Sequence, residues 1–242
     1  MDDPVAGIGA VMKITGRILS FLWMMTALIT GVGAGAVSAG PVPDGGRLAF
    51  KVLMDGTEIG RHVVEFDRKQ DRLVVDIKIN FIIKILNIPI YRYNHHNHEV
   101  WSPDGKLLAL NSLTNDDGVI ESAKIERQGD LLMINGTRNK EAVPGLWLTS
   151  SYWRSDIINQ THLIDSRNGQ IFKINVRPVG QFDVALPDRV VKATRYDVTG
   201  DLELSVWYDE SGEWVKLAFD HRGRHIDYQR IAPDAATPPN AG

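Results

Sequence analysis

The 242-residue chain has no cysteine. That absence excludes disulfides, thiolate zinc sites, iron–sulfur clusters, a cysteine nucleophile and a lipid-modified N-terminal cysteine. An excess of one charge is lacking too: 27 Lys and Arg stand against 30 Asp and Glu, a net of −3. Gripping a phosphate backbone takes a clustered basic surplus, so nucleic acid is set aside as a main partner. Three catalytic signatures are missing: the Gly-x-Ser-x-Gly elbow, His-Glu-x-x-His and the Gly-x-x-x-x-Gly-Lys phosphate loop. Motifs therefore assign no catalytic residue and no cofactor.

What is present begins with a leader. Lys13 and Arg17 precede an apolar run over 18–29, small residues follow, and Val37-Ser38-Ala39 leads into Gly40-Pro41. This order is that of a secretory signal peptide cleaved after Ala39. About a dozen apolar residues fall short of the roughly 20 that a membrane-spanning helix needs. Met12 is an alternative start that drops the acidic Asp2 and Asp3. The expected organisation is a signal peptide over 1–39, a single β-rich domain over 40–231 and a disordered, Ala- and Pro-rich tail over 232–242, in a protein exported to the periplasm.

Beyond Arg47 nearly every segment alternates apolar and polar residues and ends in turn chemistry, the pattern of strands joined by hairpins. Asp55-Gly56, between 47–54 and 57–68, is a two-residue hairpin signal. Over 73–85 the odd positions Leu73, Val75, Ile77, Ile79, Phe81, Ile83 and Ile85 are all apolar, with Asp76, Lys78, Asn80 and Lys84 between them. That face belongs to the interior, because a one-residue slip would expose every one of these side chains. Further strands are expected at 90–101, 106–114, 119–127, 131–137, 161–165, 170–178, 189–199, 202–208, 213–220 and 225–231. Thr149 or Ser150 caps the one helix that the pattern supports, running to Asn159. The fold class is all-β: a curved antiparallel sheet or open β-barrel of about a dozen strands around one short helix. A barrel that wide exceeds the eight strands whose own side chains fill the interior. The helix is expected to fill part of the concavity and leave an apolar pocket beside it.

Ile79, Phe81 and Ile83 on the long strand, with Trp147, Tyr152 and Trp153 around the helix start, are the residues expected to line that pocket and bind a ligand. The densest polar cluster is His95, His96 and His98. On a strand His96 and His98 share one face and His95 takes the other. Two imidazoles need further ligands, and neither His62 nor His162 belongs to a second closely spaced pair, so no metal site is assigned. Acid–base chemistry would need carboxylates such as Asp183, Asp188 and Glu203 paired in space, which their spacing alone does not establish.

Five stretches carry a resemblance: Gly56-Thr57-Glu58-Ile59-Gly60; Tyr91-Arg92-Tyr93 with Glu99-Val100-Trp101; Thr114-Asn115-Asp116-Asp117-Gly118; Ser151-Tyr152-Trp153; and Trp207-Tyr208-Asp209 with Gly212-Glu213-Trp214-Val215. They resemble an uncharacterised family of exported proteobacterial proteins, a domain of unknown function. Such families are similar in architecture to LolA and LolB, periplasmic carriers in which a curved antiparallel sheet wraps a helix over an apolar cavity. Without a lipid-acceptor cysteine the chain is nearer the soluble LolA type. The resemblance implies a periplasmic binding or carrier protein for an apolar or amphipathic molecule such as a lipid, with transient contact with the membrane or an envelope partner. The rivals are an envelope enzyme using carboxylate or histidine acid–base chemistry in the same cleft, and a ligand-free structural protein of the envelope.

Overall fold

The two-residue alternation becomes fifteen strands in a computed structural model that describes residues 42–233 apart from Asp44. The expected leader, and the expected tail beyond residue 233, lie outside the described residues. In the first half, β1 (Arg47–Met54), β2 (Thr57–Lys69), β3 (Arg72–Ile85), β4 (Ile88–Trp101), β5 (Leu107–Asp116), β6 (Val119–Gln128), β7 (Leu131–Gly136) and β8 (Ala142–Pro144) form an antiparallel meander. The second half comprises β9 (Leu148–Thr149), β10 (His162–Ile164), β11 (Ile171–Ala185), β12 (Val190–Gly200), β13 (Leu204–Asp209), β14 (Trp214–His221) and β15 (Arg224–Arg230). β9 and β10 run parallel, and the antiparallel pairing of β1 with β15 joins the halves. The result is one large all-β sheet ordered from β8 down to β1 and then from β15 down to β9.

This sheet bends round on itself. β8 and β9 are its two edges, yet only residues 145–147 separate them, a link of at most about 14 Å. No strand ladder closes the gap among the described residues. Instead the backbone N–H of Arg138 donates to the Asn168 carbonyl at 3.1 Å, and the Asn139 side-chain amide donates to the Gly169 carbonyl at 3.1 Å. Close approach here requires glycine at the end of β7: a Cβ on Gly136 would lie 2.0 Å from the Asn168 carbonyl oxygen.

Residues 145–170 enter the concavity, but not as the helix expected up to Asn159. Tyr152 adopts a left-handed φ of 62°, which a continuous helix cannot contain, and helical structure is confined to a 3-10 turn over Ser155–Asn159. The hydroxyls expected to cap it are engaged elsewhere. Thr149 donates to Glu99, Ser151 pairs with Thr149, and Ser150 accepts from the Ser166 backbone N–H. A second difference lies in β11, which was expected to stop at Pro178 and instead runs to Ala185. A bulge between Pro178 and Gly180 accommodates the proline, which has no N–H to give a ladder.

The odd face of β3 points inward. Leu73, Val75 and Ile77 are fully buried and Ile79, Phe81 and Ile83 half-buried, whereas Ile85, nearest the β3–β4 turn, is exposed. Burial therefore declines along the strand: one end of the concavity is filled and the other opens. A smaller cluster of Val184, Ala193, Trp207, Val215 and Ala218 packs on the outer face beyond the β11 bulge.

Candidate ligand-binding site

At the filled end, Glu99 on the inward face of β4 is completely buried. Its carboxylate accepts four hydrogen bonds, from Asn97 Nδ2 at 2.9 Å, Trp101 Nε1 at 2.9 Å, Thr149 Oγ1 at 2.9 Å and Trp153 Nε1 at 3.0 Å. An uncompensated buried carboxylate is strongly unfavourable, and these donors replace the lost water. Two of them, Thr149 and Trp153, come from the inserted segment, so the charge pins that segment to β4. The Arg154 guanidinium sits 4.7 Å from the centre of the Trp101 ring and also bonds the Gly105 carbonyl and Asp156.

Above this floor the strand registers align Thr114, His95, Ile79, His62 and Phe50 in one inward row across β5 to β1. His95 Nδ1 bonds Thr114 Oγ1 at 2.8 Å. His62 has no hydrogen-bond partner at either ring nitrogen among the described residues. Its ring lies instead 5.1 Å from Trp214, 5.7 Å from Tyr228 and 6.2 Å from Phe50. Burial, with a lesser contribution from His95, lowers its pKa to about 3. Burial, then the Arg167 charge and His96, lowers that of His95 to about 4. Both imidazoles are neutral at pH 7. In the next row toward the opening Phe81 stacks on Tyr93 at 5.5 Å and meets Tyr228 edge-on at 6.4 Å.

The opening is polar. Arg167, in the turn after β10, grips the buried Asp165 with Nη2 at 2.8 Å and Nε at 3.1 and 3.2 Å. Burial works against the Arg167 charge, and the bonds to Asp165 outweigh it and raise its pKa. The guanidinium is near enough to Tyr93, His95 and Tyr152 to bias the protonation of all three. Beyond it a cleft of 530 Å³ is bounded by Tyr91, Asp116, Glu121, Arg138, Arg167 and Arg222. Arg138 pairs with Glu121, and the Tyr91 hydroxyl donates to Asp116 at 2.6 Å. Arg222 arrives from the β14–β15 turn, in the other half of the sheet. An aromatic wall thus meets, at Arg167, a polar mouth in which three arginines stand among the carboxylates of Asp116, Asp117 and Glu121, Arg222 forming no ion pair among the described residues; the arginines suit it to a molecule with an apolar body and an anionic end.

Residues 50–231 match the family described as Domain of unknown function (DUF6134). The chain belongs to that family. No curated protein matches it. Among solved structures the DUF6134 chain is similar to a β-barrel-like protein of domain of unknown function DUF1849 from Brucella abortus. The two share 12% identity over 76% of this chain and 94% of that one, with a TM-score of 0.56. At that identity the likeness is one of fold.

Of the six residues nominated from the sequence, Ile79, Phe81 and Ile83 lie on the half-buried wall of the DUF6134 chain. Trp153 is in the floor with its indole committed to Glu99, and Trp147 stacks on His162 at 4.6 Å. The Tyr152 ring lies 6.0 Å from Trp214, and its backbone carbonyl accepts from the Tyr208 hydroxyl. None of the six bounds the 530 Å³ cleft, nor a second of 690 Å³ beside the outer cluster around Trp207 and Val215. Sequence reasoning missed Glu99 as a structural hub, and missed Tyr93, Tyr228 and Arg167. The alternations Tyr91-x-Tyr93 and Ile226-x-Tyr228 signalled the tyrosines, but nothing local marked Arg167. His96 and His98 face outward and share Asp76, at 3.4 and 2.9 Å. Asp183 pairs with Lys192 and Asp188 with Arg189, while Glu203 lies at the opposite end of β12 from Asp188, so the three carboxylates do not converge.

Proposed function

We propose that this DUF6134 protein is an exported, periplasmic binding or carrier protein for an amphipathic molecule, a lipid or lipid-like acid. Its apolar body would rest on Ile79, Phe81 and Tyr93, and its anionic end at Arg167. One observation carries the reading: the Arg167 guanidinium stands where the half-buried aromatic wall reaches the polar mouth. A buried Asp165 holds the guanidinium in place, so little side-chain entropy is lost on binding. A curved sheet around an inserted segment fits the LolA- and LolB-like arrangement, although the segment here is mostly irregular rather than helical.

The test is to express the full gene, recover the envelope fraction, and extract and weigh both protein and any bound small molecules. The expected result is a chain beginning at Gly40 with an anionic amphipath near one per chain. A protein that yields no such molecule and shows no saturable uptake of dansylundecanoic acid would overturn the carrier reading, and a chain retaining residues 13–39 would overturn cleavage after Ala39.

A further inference from the structure

The β3–β4 hairpin outruns its neighbours. β2 pairs with β3 only as far as Phe81, and β5 pairs with β4 only as far as Tyr93. Residues 82–92 therefore project as a two-stranded finger beyond the sheet. Its tip holds four exposed apolar side chains: Ile85 at 58%, Leu86 at 91%, Ile88 at 65% and Ile90 at 51%. The adjoining β5–β6 turn adds Val119 and Ile120, both more than half exposed. Water is the worst surrounding for such a tip, and clusters of this kind mark contact surfaces.

Backbone conformation sharpens the point. Leu86 and Asn87 both have left-handed φ, 48° and 68°, as the two central residues of a type I′ turn do. Asn or Gly is the usual choice at the first position, and a bulky side chain there is strained. Leucine has been placed where it disfavours the fold and buries nothing within the chain. Strain maintained at a fully exposed residue points to use outside the chain.

Charge identifies the occupant. From Ile77 to His98 there is no acidic residue, while Lys78, Lys84 and Arg92 are present. Among the described residues neither Lys84 nor Arg92 forms an ion pair. The acids flanking its base are Asp116, which accepts from the Tyr91 hydroxyl, Asp117, which accepts from the Arg92 backbone N–H, and Glu58, which pairs with Arg61; they keep their charge but lie behind the tip, not on it. Apolar side chains leading and basic ones just behind match a bilayer with anionic headgroups: the former enter the acyl boundary and the latter stay at the phosphates. Because the whole chain carries a net charge of −3, any attraction to such a surface has to be local, within a Debye length of about 8 Å. We infer that the Ile85-Leu86-Asn87-Ile88 tip inserts into the surface of an anionic phospholipid bilayer. This inference does not depend on what the interior binds.

The absence of cysteine makes the test direct. The full chain is prepared with Leu86→Cys, or with Gln70→Cys in the β2–β3 turn at the other end of β3, and each single thiol is labelled with the environment-sensitive fluorophore NBD. Vesicles of phosphatidylglycerol and phosphatidylethanolamine should shift the position-86 emission to the blue and leave position 70 unchanged, with a weaker response to phosphatidylcholine alone. Adding Lys84→Glu and Arg92→Glu should raise the lipid concentration for half-response at least about tenfold without altering the melting temperature. Equal responses at the two positions, no response at position 86, or indifference to the charge reversals would overturn the inference. A blue shift that grows with protein concentration in the absence of vesicles would also overturn it, assigning the tip to a second copy of the chain.

Discussion

Trp153 donates its indole N–H to Glu99 Oε2 at 3.0 Å, although 54 positions separate the two residues. The bond ties the inserted segment to the inner face of β4, and both partners are withdrawn from water. It makes the filled end of the sheet a structural unit, and places any binding role at the open end.

Replacing Glu99 by Ala should therefore be a folding mutation. Two indoles, a hydroxyl and an amide would be left buried without an acceptor, a loss of about 3 kcal/mol or more. Glu99→Gln keeps one oxygen acceptor and should lose less. Urea midpoints at constant slope, with near-ultraviolet circular dichroism of the tryptophans, check the order wild type, Gln, Ala. An Ala variant as stable as wild type would contradict the hub.

Acid should weaken the protein through His62 and His95. The unfolded imidazole titrates near 6.5, while the folded His62 does so only near 3 and His95 near 4. Between those values the unfolded chain binds protons that the folded chain refuses. Stability present above pH 6.5 is thus lost as pH falls toward 4, by roughly 1 kcal/mol per pH unit for each histidine. His62→Phe, whose ring suits the Phe50, Trp214 and Tyr228 surroundings, should flatten the stability profile between pH 4 and 6. An unchanged slope would contradict the neutral, unpartnered state of His62.

Leu86→Asn should stabilise the fold by about 1 kcal/mol, because Asn tolerates a left-handed φ that strains Leu. Thermal unfolding at pH 7 measures it. A lower melting temperature would mean that Leu86 makes stabilising contacts at the tip, against its 91% exposure.

Arg167→Gln should reduce affinity for dansylundecanoic acid by about tenfold, the size of one lost charge-assisted contact, and leave affinity for the corresponding uncharged amide nearly unchanged. Phe81→Asp should weaken both probes alike, since it puts a charge on the shared apolar wall. Fluorescence titration of the two probes separates the cases; equal losses of acid and amide in the Arg167 variant would remove Arg167 as the headgroup contact.

Much of the fold was legible because its signals are local. The alternation over 73–85 specified one inward face of β3, and Asp55-Gly56 specified the β1–β2 turn, where Gly56 has a φ of 82°. The helix expected up to Asn159 failed for the opposite reason: Thr149 and Ser150 look like capping residues in isolation, and their hydroxyls are claimed by Glu99 and Ser166 from elsewhere in the chain. For the candidate site, Ile79, Phe81 and Ile83 were found by period two, whereas Arg167 lies in a turn that has no periodicity to read.

The sequence alone determined that the protein is all-β, that its charge is balanced, and which side chains of each strand share a face, since these follow from composition and from the pleat of a strand. Only the tertiary structure decided what those faces meet. Pairing β1 with β15 brings Phe50 and Tyr228 round His62, and bending the sheet carries Arg167 to the end of the aromatic wall. Both depend on curvature and on contacts between residues far apart in the chain, which a pattern with a period of two does not encode.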